Sequence, residues 1–174
     1  MCDTHLDAWA TTRNLSPERL VIVRSGNIRS ALFRFDLSSL PATADVQSAT
    51  LRLHVSERSN SLSLPIEVYR LRRAWDCASA TWNQAGAAQP WGRPGADDTS
   101  LDRDALPTSR VTLSQVNVWI SLDATELVRR WVAEPAQNHG LLIKGGGESS
   151  TEYRFTSSNY ANENLRPQLV VTYR

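Results

Sequence analysis

The sequence predicts an all-β protein, a jelly-roll-like antiparallel β-sandwich of roughly eight to ten strands with one short helix. Three observations predict this class. Residues 29–55 hold two alternating strands around a proline break, residues 20–23 form a β-branched run that Ser25, Gly26 and Asn27 end, and residues 116–122 alternate cleanly. Short strands separated by turn residues are typical of β-sandwiches.

The segment of residues 29–55 carries most of this prediction. Ala31, Phe33, Phe35 and Leu37 occupy every second position, and so do Ala49, Leu51, Leu53 and Val55. Alternation with a period of two places one set of side chains on each face of a strand. Pro41 cannot donate to a sheet ladder, so the chain is expected to leave the sheet between the two strands. Phe33, Phe35, Leu51 and Leu53 are predicted to form core, with Arg34, Arg52 and His54 facing away.

The remaining elements follow the same patterns. Further strands are predicted near residues 4–9, 66–71, 140–144, 152–156 and 168–173. One helix is predicted from about Ala124 to Glu134, with Asp123 as cap, Glu126 as capping-box partner and Pro135 as its end. Trp131 lies on the apolar face of this helix and is interpreted as a core residue.

Residues 74–110 form a long irregular excursion rich in Trp, Gly, Pro and Asp. Long loops in compact domains are often functional, and the aromatic residues are expected to pin this one to the sandwich. Trp75 and Trp82 are interpreted as core residues. The candidates for a ring that stacks on a ligand are Trp9, Trp91, Tyr153 and Tyr160, and Trp91, in a Gly/Pro loop, is the best candidate for an exposed ring.

Length and composition narrow the function classes. The 174 residues suit a single domain spanning 1–174, and the net charge of +1 argues against a nucleic-acid partner. No apolar run approaches the ~18 residues that cross a bilayer, so no membrane partner is expected. Strand-like sequence begins within a few residues of Met1, and no signal peptide is expected in this chain.

With three histidines, no nucleophile elbow and no phosphate-binding loop, the chain is predicted not to be an enzyme.

Basic residues are the main candidates for ligand contacts. The chain has eighteen Arg and one Lys, and guanidinium groups pair with carboxylate, sulfate or phosphate in planar, two-pronged contacts. A GC-rich genome explains the same bias without any function. The predicted ligand-binding residues share polar strand positions or the excursion: Arg34, Arg52, His54, Arg70, Arg72, Trp91, Lys144 and Arg154. The alternative for the charged ones is ordinary solvation.

Acidic residues and cysteines give two further hypotheses. Asp97, Asp98, Asp102 and Asp104 provide the hard oxygen ligands that structural calcium needs, although their spacing is not that of an EF-hand. The alternative is a solvated loop balanced by neighbouring arginines. Cys2 and Cys77 form one disulfide if the protein is exported, and free thiols or a bridge to another chain are the other readings.

A series of motifs in order resembles a known family. They are DTHLDAW, RSALFRFDLSSLP, ATLRLHV, VYRLRRAWDCASATWN, WGRPGADD, LDATELVRRWV, NHGLLIKG, EYRFTSS and RPQLVVTY. The chain resembles the DNRLRE domain family, also classed as carbohydrate-binding module family 96, from Asp3 to Tyr173. The usual FDVT is replaced by Leu122-Asp123-Ala124-Thr125, and Asn159 stands where relatives often have an acid.

This resemblance implies an exported, extracellular or cell-surface jelly roll, and some similar members bind acidic polysaccharides such as alginate. The leading hypothesis is a non-catalytic carbohydrate-binding module that binds a uronate-rich polysaccharide. The alternative is a structural or adhesive surface module that self-assembles into filaments, with copies of itself or other surface proteins as partners. A continuous Arg groove with an exposed ring would favour the first, and an exposed edge strand the second.

Overall fold

A computed structural model describes residues 1–174 and contains twelve strands and one α-helix. The strands are β1 (Cys2–Asp7), β2 (Leu20–Arg24), β3 (Arg29–Arg34), β4 (Val46–Arg58), β5 (Leu64–Arg70), β6 (Gln84–Gly86), β7 (Gln89–Pro90), β8 (Ser109–Leu113), β9 (Val118–Asp123), β10 (Leu141–Gly145), β11 (Glu152–Thr156) and β12 (Gln168–Tyr173). Helix α1 spans Thr125–Ala133, and single 3-10 turns occupy Ser25–Asn27, Pro135–Gln137 and Glu163–Leu165. None of the helices has the length and apolar character needed to cross a membrane.

Ten strands form one antiparallel sheet that folds into two layers. The first sheet has the order β1-β3-β10-β5-β8, and the second has the order β2-β11-β4-β9. Strand β12 follows β11 along the same edge of β4. The two layers join where Arg24 of β2 pairs with Arg29 of β3. The predicted all-β antiparallel sandwich with one short helix is therefore confirmed, and β6 and β7 form a small separate ribbon.

The main core lies between the two sheets. The four predicted core residues Phe33, Phe35, Leu51 and Leu53 are all buried there. They pack with side chains from the inward positions of both layers, including Val21, Val23, Val55, Ile66, Val68, Leu122, Leu141, Ile143, Tyr153 and Phe155. Burying this apolar surface at about 25 cal/mol per Å² is the main force that holds the two sheets together.

Helix α1 closes one end of this core. Its apolar stripe is buried, and Trp131, interpreted from the sequence as a core residue, is 2% exposed. The N-cap position is Ala124 and not the predicted Asp123. From one residue earlier, the Asp123 carboxylate still accepts hydrogen bonds from the backbone N and side-chain hydroxyl of Thr125 at 2.9 and 2.6 Å, which satisfies an N-terminal donor. The capping-box role of Glu126 is wrong, because its carboxylate instead pairs with Arg129 one turn later at 2.6 Å.

A second core lies on the outer face of the first sheet. Outward side chains Leu32, Tyr69 and Leu142 are covered by the excursion, whose contributing residues are Trp75, Ala80, Ala85, Trp91 and Ala96. The expected pinning of this segment by aromatic residues is confirmed. A disulfide between Cys2 and Cys77 joins β1 to the excursion, which ties the covering layer to the sheet.

Candidate functional site

The outer face of the second sheet has no apolar layer like the excursion, and we call it the open face. The segment after β11 covers it at one place, where the Thr156 hydroxyl donates to the Leu165 carbonyl. The alternation that buries Val21, Val23, Tyr153, Phe155, Leu51 and Leu53 turns the intervening side chains outward. These outward residues carry charges and an aromatic ring: Arg24 on β2, Glu152 and Arg154 on β11, Arg52 and His54 on β4, and Trp119 on β9. The candidate site is built on this face and at its edge with β1.

Three arginines surround one buried carboxylate, an arrangement that we call the Glu152 cluster. Glu152 is 3% exposed, and its Oε2 lies 2.5 Å from Arg29 Nη1 and 3.5 Å from Arg24 Nη1. Its Oε1 accepts from Arg154 Nε and Nη2, each at 2.9 Å. A buried carboxylate is tolerated when it is paired and hydrogen-bonded, so Glu152 fixes the three guanidinium groups in position.

Arg154 also reaches outward from the cluster. Its Nη1 lies 2.9 Å from Glu57 on β4, so its guanidinium joins β11 to β4. Burial lowers the pKa of Arg154, but the two carboxylates more than offset this and hold the pKa above its ordinary value. Its charge is therefore constant over all ordinary pH values.

Trp9 is the exposed aromatic ring of the cluster. It is 62% exposed, and the guanidinium carbons of Arg24 and Arg29 lie 4.7 and 5.1 Å from its ring centroid. Asp7 accepts from the Trp9 backbone N at 2.8 Å and from Arg29 Nε at 2.9 Å, which fixes both partners. Cation–π contacts hold the indole in place while most of its surface stays in solvent.

A polar groove of about 310 Å³ runs beside the cluster, lined by residues from β1, β2 and the loop between them. Its charged lining is mixed: Arg13, Arg19, Arg29 and Arg154 are joined by Asp7 and Glu18. Glu18 pairs with Arg13 and Asp7 with Arg29, each at 2.9 Å. His5 also lines the groove, is 3% exposed, and its Nδ1 has no hydrogen-bond partner. Burial, and secondarily the charge of Arg29, lowers the pKa of His5 to about 4, so this histidine is neutral at pH 7.

A second group on the open face, which we call the Trp119 cluster, comprises Trp119, Arg52 and His54. The guanidinium carbon of Arg52 lies 4.8 Å from the Trp119 ring centroid, and the His54 ring meets the same indole edge-on at 5.4 Å. Arg52 Nη1 donates to the side-chain oxygen of Gln168 at 3.2 Å. His54 is turned outward as predicted, but it is only 8% exposed, and this burial lowers its pKa.

The sequence patterns around Trp9 and Trp119 give different signals for an exposed ring. Trp9 stands at the end of the strand predicted near residues 4–9. Trp119 escaped the sequence reasoning, although it sits in the outward phase of a strand whose inward phase is Val118, Ile120 and Leu122. An aromatic residue in the polar phase of an alternating strand is the signal that would have found it.

The structure does not bring the eight predicted ligand-binding residues together. Arg52, His54 and Arg154 share the open face, whereas Arg34, Arg70, Arg72, Trp91 and Lys144 belong to the first sheet or its excursion. Arg34 Nη1 donates to the Trp75 carbonyl at 2.8 Å, Arg70 makes a two-pronged contact with Asp104, and Lys144 is 6% exposed and paired with Asp97. Arg72 is exposed on the segment that follows β5.

The expectation that Trp91 is an exposed platform is wrong. Trp91 is 4% exposed in the second core, and its Nε1 donates to the Thr81 carbonyl at 2.9 Å. The surrounding Gly and Pro residues suggested an exposed position, but burying a large indole is more favourable than leaving it in solvent.

The four aspartates of the excursion do not form a shared oxygen cluster. Asp102 is fully buried and accepts backbone N–H groups from Gly92, Arg93 and Asp98 at 2.8–3.1 Å. The other three are engaged separately: Asp97 pairs with Arg103 and Lys144, Asp98 caps the turn at Ser100, and Asp104 pairs with Arg70. No group of three potential metal ligands is present in the chain. These residues do not fit the predicted calcium site, and calcium binding by the protein stays a prediction.

The fold and the open face together define a β-sandwich with an exposed ring beside ordered guanidinium groups, an arrangement typical of a binding module. The sequence model of carbohydrate-binding module family 96 matches residues 3–173. The chain therefore belongs to carbohydrate-binding module family 96, a family of non-catalytic binding modules. No curated protein matches the sequence.

Proposed function

We propose that this carbohydrate-binding module binds an acidic, uronate-rich polysaccharide of the alginate type at the Glu152 cluster and the exposed ring of Trp9. The observation that carries the proposal is the Trp9 indole, 62% exposed and held against Arg24 and Arg29. One polymer unit offers both an apolar sugar face and a carboxylate, and the cluster offers a partner for each.

The chemistry of a uronate suits this arrangement. A sugar ring presents C–H groups that pack on an indole, and its carboxylate accepts charge-assisted hydrogen bonds from guanidinium groups. Because Glu152 already orients Arg24, Arg29 and Arg154, these side chains lose little conformational freedom when a ligand binds. Arg19, which has no acidic partner, adds one further guanidinium group along the groove.

The proposed setting is extracellular or at the cell surface. A polysaccharide partner lies outside the cell, and a disulfide such as Cys2–Cys77 persists in oxidising compartments. Binding without catalysis agrees with the family, and no step of the proposal requires a metal.

The decisive experiment is calorimetric titration with alginate and with a neutral polysaccharide, for the wild type, Trp9→Ala and Arg154→Ala. We expect binding to alginate alone, with affinity reduced about tenfold or more in each variant. Arg130→Ala is the matched control, because it removes one exposed, unpaired positive charge from helix α1 and should change affinity less than twofold.

Two outcomes would contradict the proposal. Equal binding of neutral and acidic polymers would remove the role of the uronate carboxylate. Unchanged alginate affinity in Trp9→Ala and Arg154→Ala would show that the site lies elsewhere. A parallel titration with a calcium chelator should give the wild-type affinity, and a loss of binding there would restore the predicted calcium requirement.

A structural or adhesive role is the second candidate, favoured by strand β12. This strand stands at the end of the strand order, and Val170 and Tyr173 are 49% and 43% exposed on it. An unpaired edge with apolar side chains can add a strand from another copy. Sedimentation velocity at rising protein concentration tests this role. Assembly that Val170→Lys abolishes would support it, and a monomer at all concentrations would exclude it.

A further inference from the structure

We infer that the Trp119 cluster is a second subsite for the same acidic polymer, so that the open face binds an internal stretch of several sugar units. This inference rests on the proposed function, because it assumes a uronate chain at the Glu152 cluster. It adds a binding site at Trp119, Arg52 and His54 and a minimum ligand length.

The two clusters lie on the same outer face of four neighbouring strands, β9, β4, β11 and β2. Trp119 is opposite His54 in the β9–β4 pairing, Arg154 is opposite Glu57 in the β4–β11 pairing, and Arg24 is opposite Glu152 in the β11–β2 pairing. The path from Trp119 to Arg24 therefore crosses three strand spacings and advances about five residues along the strands. At about 4.8 Å per spacing and 3.3 Å per residue, the separation is roughly 20 Å. A disaccharide is too short to reach both clusters.

The Trp119 cluster repeats the chemistry of the first cluster. Each has an indole with a guanidinium held against it, at 4.7 and 5.1 Å from Trp9 and at 4.8 Å from Trp119. The edge-on contact with His54 supports the Trp119 ring from a second side. A polymer that repeats a sugar face and a carboxylate along its length would meet the same pair of groups twice.

Charge distinguishes the two clusters and favours the second as a carboxylate site. Arg24, Arg29 and Arg154 all pair with carboxylates of the protein. Arg52 has only the neutral side-chain amide of Gln168 as a hydrogen-bond partner. Its charge is therefore uncompensated, and a ligand carboxylate could pair with it without displacing an acidic side chain.

The test is a series of mannuronate oligomers from two to eight units, titrated against the wild type, Trp119→Ala, Arg52→Gln and Trp9→Ala. In the wild type, we expect the octamer to bind about tenfold or more tightly than the dimer. Trp119→Ala and Arg52→Gln should weaken octamer binding about tenfold and three- to tenfold, respectively, and leave dimer binding within twofold. Trp9→Ala should weaken both oligomers.

Arg52→Lys and Arg130→Ala provide controls. Lysine keeps the charge but not the planar contact with the ring, so Arg52→Lys should bind the octamer between the wild type and Arg52→Gln. Arg130→Ala should match the wild type for every oligomer. Retained dimer binding in Trp119→Ala shows that this variant is folded, and Arg52→Gln tests the subsite without removing the indole.

The outcomes separate the two proposals. Octamer affinity that is unchanged in both Trp119→Ala and Arg52→Gln, with Trp9→Ala impaired, would overturn the second subsite and leave the first intact. Equal affinity of the wild type for dimer and octamer would also overturn it. No binding of any oligomer by the wild type would overturn the proposed function and the second subsite with it.

Discussion

The two outer faces of the sandwich have opposite surroundings. On the first sheet, the outward residues Leu32, Tyr69 and Leu142 are apolar and lie under the tryptophans of the excursion. On the second sheet, the corresponding residues are Arg52, Arg154 and other polar groups, and no apolar layer like the excursion lies over them. The same fold therefore uses one outer face for stability, and the other is the face where we propose that the ligand binds. Basic residues have internal partners on both sides: Asp104 pairs with Arg70 on the first sheet, and Glu152 pairs with Arg154 on the second. A positive charge in the sequence therefore does not by itself mark a binding position.

The largest expected loss of stability comes from a substitution in the second core, on the covered face of the first sheet. Trp91→Ala should lower the free energy of unfolding by about 3–5 kcal/mol, because it opens a cavity in the second core and leaves the Thr81 carbonyl without its donor. Chemical denaturation measures this loss, and Trp91→Phe should lose less. Well below the unfolding transition, alginate affinity should remain at the wild-type value. A loss of affinity without a loss of stability would return Trp91 to the ligand site.

The next effect depends on pH and concerns His5 at the edge of the open face. Its folded pKa of about 4 lies below the ordinary value of 6.5, so the neutral form stabilises the fold. This contribution is complete above pH 6.5 and is lost as the pH falls towards 4, by about 3 kcal/mol in total. In His5→Gln, the free energy of unfolding should therefore fall less than in the wild type between pH 7 and pH 4.

Asp3 lies on the same strand as His5, and its contribution to the free energy of unfolding should change with pH in the opposite direction. Burial raises its pKa from 3.8 to about 6, partly offset by hydrogen bonds from Ser158. Its protonated form stabilises the fold, so its contribution is complete below pH 3.8 and is lost as the pH rises through 6. Asp3→Asn should remove this loss and be more stable than the wild type at pH 7. Parallel curves for the wild type and both variants would show that neither group controls the acid response.

A smaller loss of stability is expected when Glu152, the shared carboxylate of the Glu152 cluster, is substituted. Glu152→Ala should reduce the free energy of unfolding by about 2 kcal/mol, because three partly buried guanidinium groups lose their shared carboxylate. Because those groups are partly hydrated, the effect should be smaller than that of Trp91→Ala. Glu152→Gln keeps the shape and isolates the charge. Thermal unfolding measures both variants, and a stability equal to the wild type would show that Glu152 does not hold the cluster together.

The smallest effect on stability should come from Trp9→Ala. The indole is 62% exposed, and substitutions at such positions change the free energy of unfolding by about 0.5 kcal/mol or less. Denaturation curves should overlap with the wild type even though alginate affinity falls. A large loss of stability would show that Trp9 supports the fold, as the buried tryptophans do, and would weaken the contrast between the two faces.

The sequence predicted the secondary-structure elements better than the burial and the ion-pair partners of individual side chains. Alternation in residues 49–55 correctly separated the core residues Leu51 and Leu53 from outward Arg52, because a half-buried strand requires that pattern. The alternation predicted in residues 29–37 placed Phe33 in the core correctly, but Leu32 in the opposite phase is buried as well, because the excursion covers the outer face of β3. The partners of Arg70 and Lys144 could not be predicted, since Asp104 and Asp97 are more than thirty residues away along the chain.

By itself, the sequence determined the all-β class, the inward set of core residues and the membership of a carbohydrate-binding family, because periodicity and ordered motifs are local properties of the chain. Only the tertiary structure decided which charged residues meet. It divided the eight predicted contact residues between two sheets, buried Trp91, exposed Trp9 and placed Trp119 beside Arg52. The physical reason is that exposure and ion pairing depend on which strands become neighbours and where the excursion folds, and neither is encoded in the spacing of residues along one strand.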